Sequence, residues 1–119
     1  MSTDTLKTLV EKIEPTAILK IEGPFNDFQA KEIVEIIDDL LANGFVHFII
    51  NFAKSNDVNS YGVSVLINVI ESITMKEGKL LFSNIDSHLD KKFKMMGLNN
   101  YVKFYDSDDQ ALGSLTTFL

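Results

Sequence analysis

The sequence predicts an α/β domain: a mixed, mostly parallel sheet of about five strands with helices packed on it, in the order β-β-α-β-α-β-α-β-α. Three observations carry that expectation. Phe45-Val46-His47-Phe48-Ile49-Ile50-Asn51-Phe52 is a near-continuous apolar run of β-branched and aromatic residues, the pattern of a strand covered on both faces. Stretches with apolar residues at helical spacing lie on either side of it. Short apolar runs then alternate with helical ones to the end of the chain, as parallel strands joined by crossovers require.

The elements follow in order. Residues 6–13 alternate loosely and predict an edge strand. Glu14-Pro15 makes a turn, because proline fixes its own φ and pushes the preceding residue toward extended conformations. Ala17-Ile18-Leu19-Lys20-Ile21 is a second strand, closed by Gly23-Pro24. Asn26 or Asp27 can cap the helix that follows. Its apolar face is Ile33, Val34, Ile36, Ile37, Leu40 and Leu41, and Asn43-Gly44 ends it. After the central strand and a polar stretch, a second helix runs over about residues 61–76. Val63, Val65, Leu66, Ile67, Val69, Ile70 and Ile73 surround much of it, which predicts deep burial, with Val63, Leu66, Ile67 and Ile70 against the sheet. Leu80-Leu81-Phe82 is the next strand. A short helix around Leu89, Phe93 and Met96 stops at Gly97, with Met95-Met96 expected to fill core. Residues 101–105 alternate as a last strand, and Ala111, Leu112, Leu115 and Phe118 form the stripe of a final helix.

At 119 residues the chain has the commonest size of one domain, and we read it as one, residues 1–119, with no linker or repeat. Eleven lysines against 17 carboxylates leave a formal charge of −6, and the lysines are not gathered into one large basic face. Nucleic acid and anionic membrane are therefore poor partners. The absence of cysteine excludes a disulfide framework, a thiolate metal site and a cysteine nucleophile. No metal and no cofactor is expected. The first ten residues lack a signal-peptide pattern and no apolar run approaches a membrane span, so a cytoplasmic domain is expected.

Chemistry-bearing patterns are few. No glycine-rich phosphate loop or nucleophile elbow is present. His47 lies within a strand, where a satisfied structural histidine competes with a catalytic one, and His88 belongs on the surface of the short helix. Asp106-Ser107-Asp108-Asp109 reads as helix capping, with acids favoured by the dipole at that end. Asn59-Ser60-Tyr61-Gly62-Val63-Ser64 stands apart, between a buried strand and a buried helix. Ser60 or Asn59 can simply cap that helix. Alternatively, Ser60 is exposed at a helix N-terminus beside the C-terminal ends of parallel strands, where sites are commonly built. The dipole there tolerates an added phosphate, which would change a contact surface by about −1.5 to −2 charges. From spacing alone both roles stay open.

Over residues 6–119 the chain resembles a STAS domain, the fold shared by bacterial anti-sigma-factor antagonists and the cytoplasmic tails of sulfate transporters. Ala-Ile-Leu-Lys-Ile-Glu-Gly-Pro-Phe-Asn at 17–26 resembles the family's second strand and the Gly-x-x-Asp loop that ends it. Phe45 to Asn51 resembles its central strand, and the 59–64 segment falls where the family carries Asp-Ser-Ser/Thr/Ala-Gly-Leu-Gly with a phosphorylatable first serine. Phe93-Lys94-Met95-Met96-Gly97-Leu98, Val102-Lys103-Phe104-Tyr105 and Asp109-Gln110-Ala111-Leu112 resemble the C-terminal pattern. Asn59 and Asn26 replace family acids, Tyr61 a small residue, and Ser64 the second glycine. Each amide keeps an acceptor oxygen but loses the charge that would pair with a partner's lysine or arginine.

The resemblance implies a regulatory binding protein rather than an enzyme. It would dock on a serine-kinase-type anti-sigma factor, with Ser60 as the phosphorylation site and Asn26, Asn59, Tyr61, Gly62 and Ser64 as partner-binding residues. Unmodified protein would sequester the anti-sigma factor; phosphate on Ser60 would end docking. The nucleotide would belong to the partner kinase. An alternative within the fold is a scaffolding subunit, as of a lipid-transport ATPase assembly, with Ser60 only a cap. The alternative from another class is a small hydrolase using Ser60, His47 and a carboxylate such as Asp57, which lacks an oxyanion-hole glycine motif.

Overall fold

The computed structural model describes residues 7–115, apart from the side chains of Lys7 and residues 27–29. The elements are β1 (Lys7–Ile13), β2 (Thr16–Glu22), α1 (Asp27–Ala42), β3 (His47–Lys54), α2 (Ser60–Met75), β4 (Lys79–Ser83), α3 (Ser87–Met95), a single 3-10 turn (Leu98–Asn100), β5 (Lys103–Tyr105) and α4 (Asp108–Leu115). The strands lie side by side in chain order, β1-β2-β3-β4-β5. β1 is antiparallel to β2, and β2 through β5 are parallel. The expected mixed, mostly parallel sheet is what forms.

Right-handed crossovers between successive parallel strands place their helices on one face. There Leu19, Phe48, Ile50 and Phe82 pack under Ile33 and Ile37 of α1, Leu66 and Val69 of α2, and Leu89 and Phe93 of α3. The other face is covered by α4, where Ile18, Ile49 and Leu81 meet Ala111, Leu112 and Leu115. The central strand is thus buried on both sides, which is why β3 lacks polar alternation.

Several boundaries and faces differ from expectation. β3 begins at His47, because the Val46 and His47 amides are still turned to the Pro15 carbonyl at 3.0 and 3.3 Å. β5 is only three residues long, since Tyr101 donates its N–H to the Leu98 carbonyl at the end of the 3-10 turn. Ile67 is not against the sheet. It is 37% exposed, because the buried line of α2 runs through Gly62, Leu66, Val69 and Ile73 and leaves Ile67 on the far side. Ile70 is half-buried at the margin of the core. Met95 and Met96 do not fill core: α3 buries only Leu89 and Phe93, and Met95 is 87% exposed. Leu6 and Phe118 lie outside the described residues.

The acidic run before α4 also divides its roles. The Ser107 hydroxyl oxygen, rather than an aspartate, accepts the Gln110 N–H at 3.2 Å. Asp108 instead reaches across to the sheet, accepting from Ser83 Oγ at 2.5 Å and from Asn51 Nδ2 at 3.0 Å. Ser83 is fully buried, so this carboxylate satisfies a hydroxyl that β4 would otherwise bury unpaired.

His47 is a partnered structural histidine. The Lys79 N–H donates to its Nδ1 at 3.2 Å, so the ring proton sits on Nε2. Burial first, and then the positive charge of Lys79, hold its pKa below the ordinary 6.5. The unfolded chain therefore binds the extra proton first, and this contribution is present above about pH 6.5 and lost as pH falls through the folded value. Thermal unfolding at about pH 7.5 and about pH 5.5 should show a steeper loss of Tm in the wild type than in His47→Gln. Equal losses would clear the imidazole of the effect.

Candidate functional site

The candidate site lies at the C-terminal edge of the parallel strands, where the loops after β2 and β3 run together. The Gly23 N–H donates to the Lys54 carbonyl at 3.0 Å and the Phe25 N–H to the Asp57 carbonyl at 2.9 Å. Phe25 and Val58 form an isolated parallel bridge. That register sets Asn26 beside Asn59. Buried Ser55 seals the pairing from below, donating its hydroxyl to the Gly23 carbonyl at 2.6 Å. Phe25 and Val58 are anchors for both loops, and Phe25 packs edge-on against Phe52 at 6.4 Å, at the margin of a cluster that includes Phe82 and Phe93. Four-part aromatic packing of this kind makes the floor of the site rigid.

Two helices therefore begin side by side. Asn26 is the residue before α1, with extended backbone and no side-chain cap bond. Asn59 caps α2: its Oδ1 accepts the Gly62 N–H at 2.8 Å, and its carbonyl accepts the Val63 N–H. Between the two candidate caps the structure selects Asn59. Ser60 is then the first residue of α2 and its side chain is exposed. The positive ends of both helix dipoles lie at this edge, a setting that favours negative charge.

Gly62 is buried for a steric reason. A Cβ there would stand 2.4 Å from the Phe25 carbonyl oxygen and 2.9 Å from Val58 Cγ2. Gly62 is thus a buried, close-packing residue beneath the exposed face of α2. Tyr61 and Ser64 are exposed, and the Ser64 hydroxyl donates back to the Ser60 carbonyl at 3.1 Å. Ile67 and Asn68 extend this face by one further turn. Ser60, Tyr61, Ser64, Ile67 and Asn68 make an uncharged, partly apolar stripe. In all of α2 only Glu71 carries a formal charge.

Two features were not legible in advance. Helical recurrence alone places Ile67 in the core, whereas the buried line through Gly62, Leu66, Val69 and Ile73 leaves it outward. Lys92 of α3 approaches Asp57 at 3.7 Å, tying a third element to the loop. Sequence spacing gives no sign of that pair. The trio of Ser60, His47 and Asp57 is not assembled. His47 opens β3 and Ser60 follows its other end, and the eight residues of β3 alone span about 23 Å. Among the described residues no group of three or more His, Asp or Glu side chains is placed to hold a metal ion. No helix among them is long and apolar enough to cross a membrane.

The family model of the STAS domain matches residues 7–111. The chain belongs to the STAS domain family. Solved structures of the same fold include a protein of Thermotoga maritima described as a candidate anti-sigma factor antagonist, 18% identical, with a TM-score of 0.83 over 90% of this chain and 92% of that one. The unphosphorylated anti-sigma factor antagonist SpoIIAA is 17% identical, with a TM-score of 0.80 over 92% of this chain and 96% of its own. SpoIIAA of Bacillus in its phosphorylated form superposes with a TM-score of 0.73 at 16% identity, covering 92% and 99% of the two chains. A sulfate transporter family protein of Wolinella succinogenes is 21% identical, with a TM-score of 0.74 over 86% and 85% of the two chains. At these identities the likeness is one of fold. In this STAS domain the capped first turn of α2, residues 59–64, presents Ser60 and Tyr61 outward on a floor built by Phe25, Val58 and Gly62.

Proposed function

We propose that this STAS domain is a cytoplasmic protein-binding switch that docks on a serine-kinase-type anti-sigma factor and is released by phosphorylation of Ser60. It acts by occupancy and not by catalysis. The observation that carries this is the position of Ser60: an exposed hydroxyl on the first residue of α2, at one end of an uncharged stripe and beside the Asn26 loop. A dianion placed there changes the contact surface while the helix dipole keeps the fold content. Asn59 and Asn26 contribute acceptor oxygens, and Tyr61 a partly exposed aromatic anchor of the kind that dominates interfaces. The kinase contributes the nucleotide.

Mass spectrometry of the protein recovered from its own cells tests this, with the partner identified by co-purification. Phosphate on Ser60 together with capture of a histidine-kinase-like ATPase by the unmodified form is the expected result. Stable recovery within a transport assembly, with Ser60 unmodified under all growth conditions, would overturn it in favour of a scaffold. Asn59 bears on that second role: it, and not Ser60, accepts the capping Gly62 N–H, so capping does not account for the Ser60 hydroxyl.

Asn59→Asp separates charge from shape. The carboxylate can accept the same Gly62 N–H, so stability should change by less than about half a kcal/mol. Phosphorylation of Ser60 by the cognate kinase should become faster, or binding to it tighter, and the gain in binding should shrink as salt rises. A time course and affinities at low and high salt measure both. Identical behaviour of the two variants would assign the departure from the family pattern to Tyr61 instead.

A further inference from the structure

The first edge of the sheet carries a second feature. All seven residues of β1 pair with β2 in one unbroken register, and no described strand lies against the other side of β1. Edge strands are usually blunted by shortness, proline, bulges or outward charges. β5, the opposite edge, is only three residues long. β1 has neither proline nor glycine. Two of its charges turn inward onto their own molecule: Glu11 reaches Lys20 at 3.7 Å, and Lys12 lies over the Phe45 ring at 5.7 Å. Leu9 is 66% exposed and Ile13 45%. Both lie on the α4 side of the sheet, because Glu11 between them is opposite Ile18. Residues 7–22 hold three lysines and three glutamates, so this hairpin is neutral in a chain of charge −6.

We propose that β1 is a dimerisation edge, where a second copy of this chain adds its own β1 antiparallel and joins the two five-stranded sheets into one. Two copies of an acidic chain repel, and a neutral edge is where that repulsion is weakest. A two-fold axis at Leu9 sets Leu9 beside its own copy and Glu11 opposite Lys7, an acid opposite a base. An axis at Glu11 would face two carboxylates. The contact is isologous, so it consumes both β1 edges and stops at two copies. Edge pairing makes a small interface, and the dimer is correspondingly weak. It uses β1 alone and does not rest on Ser60.

Sedimentation equilibrium of the whole chain, from about 10 μM to about 1 mM, should show monomer and dimer with a Kd of about 1 mM or tighter. Leu9→Lys should weaken the dimer at least about tenfold. Met95→Lys, the same change at a residue that is 87% exposed on α3, should leave it within about twofold. The chain has no cysteine, so one introduced thiol reports on its own copy. In this register the two Cβ atoms at position 9 stand about 4.5–5.5 Å apart, close to disulfide reach. With oxidised glutathione, Leu9→Cys should form a linked dimer at least about tenfold faster than Met95→Cys. The proposal fails if the wild type stays monomeric at about 1 mM, if Met95→Lys weakens association as much as Leu9→Lys, or if the two thiols cross-link equally. Growth beyond two copies would also overturn it, since β1 would then be meeting a different edge of the next copy in an open row.

Discussion

Leu66→Ala is expected to destabilise the domain by roughly 2–5 kcal/mol, as other buried leucine truncations do. Leu66 is fully buried under α2, within the core between that helix and the sheet. Close packing on all sides leaves little to collapse into the space, so the cost has both a transfer part and a cavity part. Its neighbour supplies the control. Ile67→Ala, one residue on and about 100° around the helix, should cost less than about half a kcal/mol. Urea unfolding of both variants decides the matter. Comparable losses, or the reverse order, would mean that α2 is rotated from the phase described and that the stripe at Ser60 and Ser64 faces elsewhere.

Ser60→Asp should weaken docking to the anti-sigma partner by at least about tenfold, the effect of one new charge on an uncharged contact surface. Stability should hold, because an acid in the first turn is favoured by about 0.3–1 kcal/mol through the dipole. Ser60→Ala should dock like the wild type, since Asn59 rather than Ser60 caps the helix. Calorimetric titration and thermal melts of the three proteins give both quantities. Undiminished docking of Ser60→Asp would make Ser60 a bystander.

How far the sequence reaches can be seen residue by residue. The central strand was legible because burial on both faces erases alternation, and the capped helix after Asn59 because polar residues in a tight cluster have few other uses. The Gly23–Asn26 and Asn59–Ser64 loops were separately visible. That they pair through Phe25 and Val58 was not, since a bridge between loops leaves no periodic trace. Ile67 and Met95-Met96 show the commoner failure: hydrophobicity marks a residue as able to be buried, and only the phase of the helix says which ones are. Gly62 was expected at the partner surface from resemblance, whereas its tight contact with the Phe25 carbonyl oxygen makes it part of the foundation.

The order of the strands in the sheet is also the order of their synthesis, so each pairing joins a strand to the one made just before it. The sheet can therefore zip up progressively from its N-terminal edge, without waiting for distant segments. α4 is the exception. It is the last described element, and its Asp108 bond to Asn51 spans 57 residues. Until it emerges, Ile18, Ile49 and Leu81 face water on an otherwise finished sheet. At roughly 5–20 residues per second, the ten residues from the end of β5 to the end of α4 take about 0.5–2 s to synthesise. In that interval the nascent domain is open to association on one face, and a chaperone that shields it would have to recognise three aliphatic side chains on three adjacent strands.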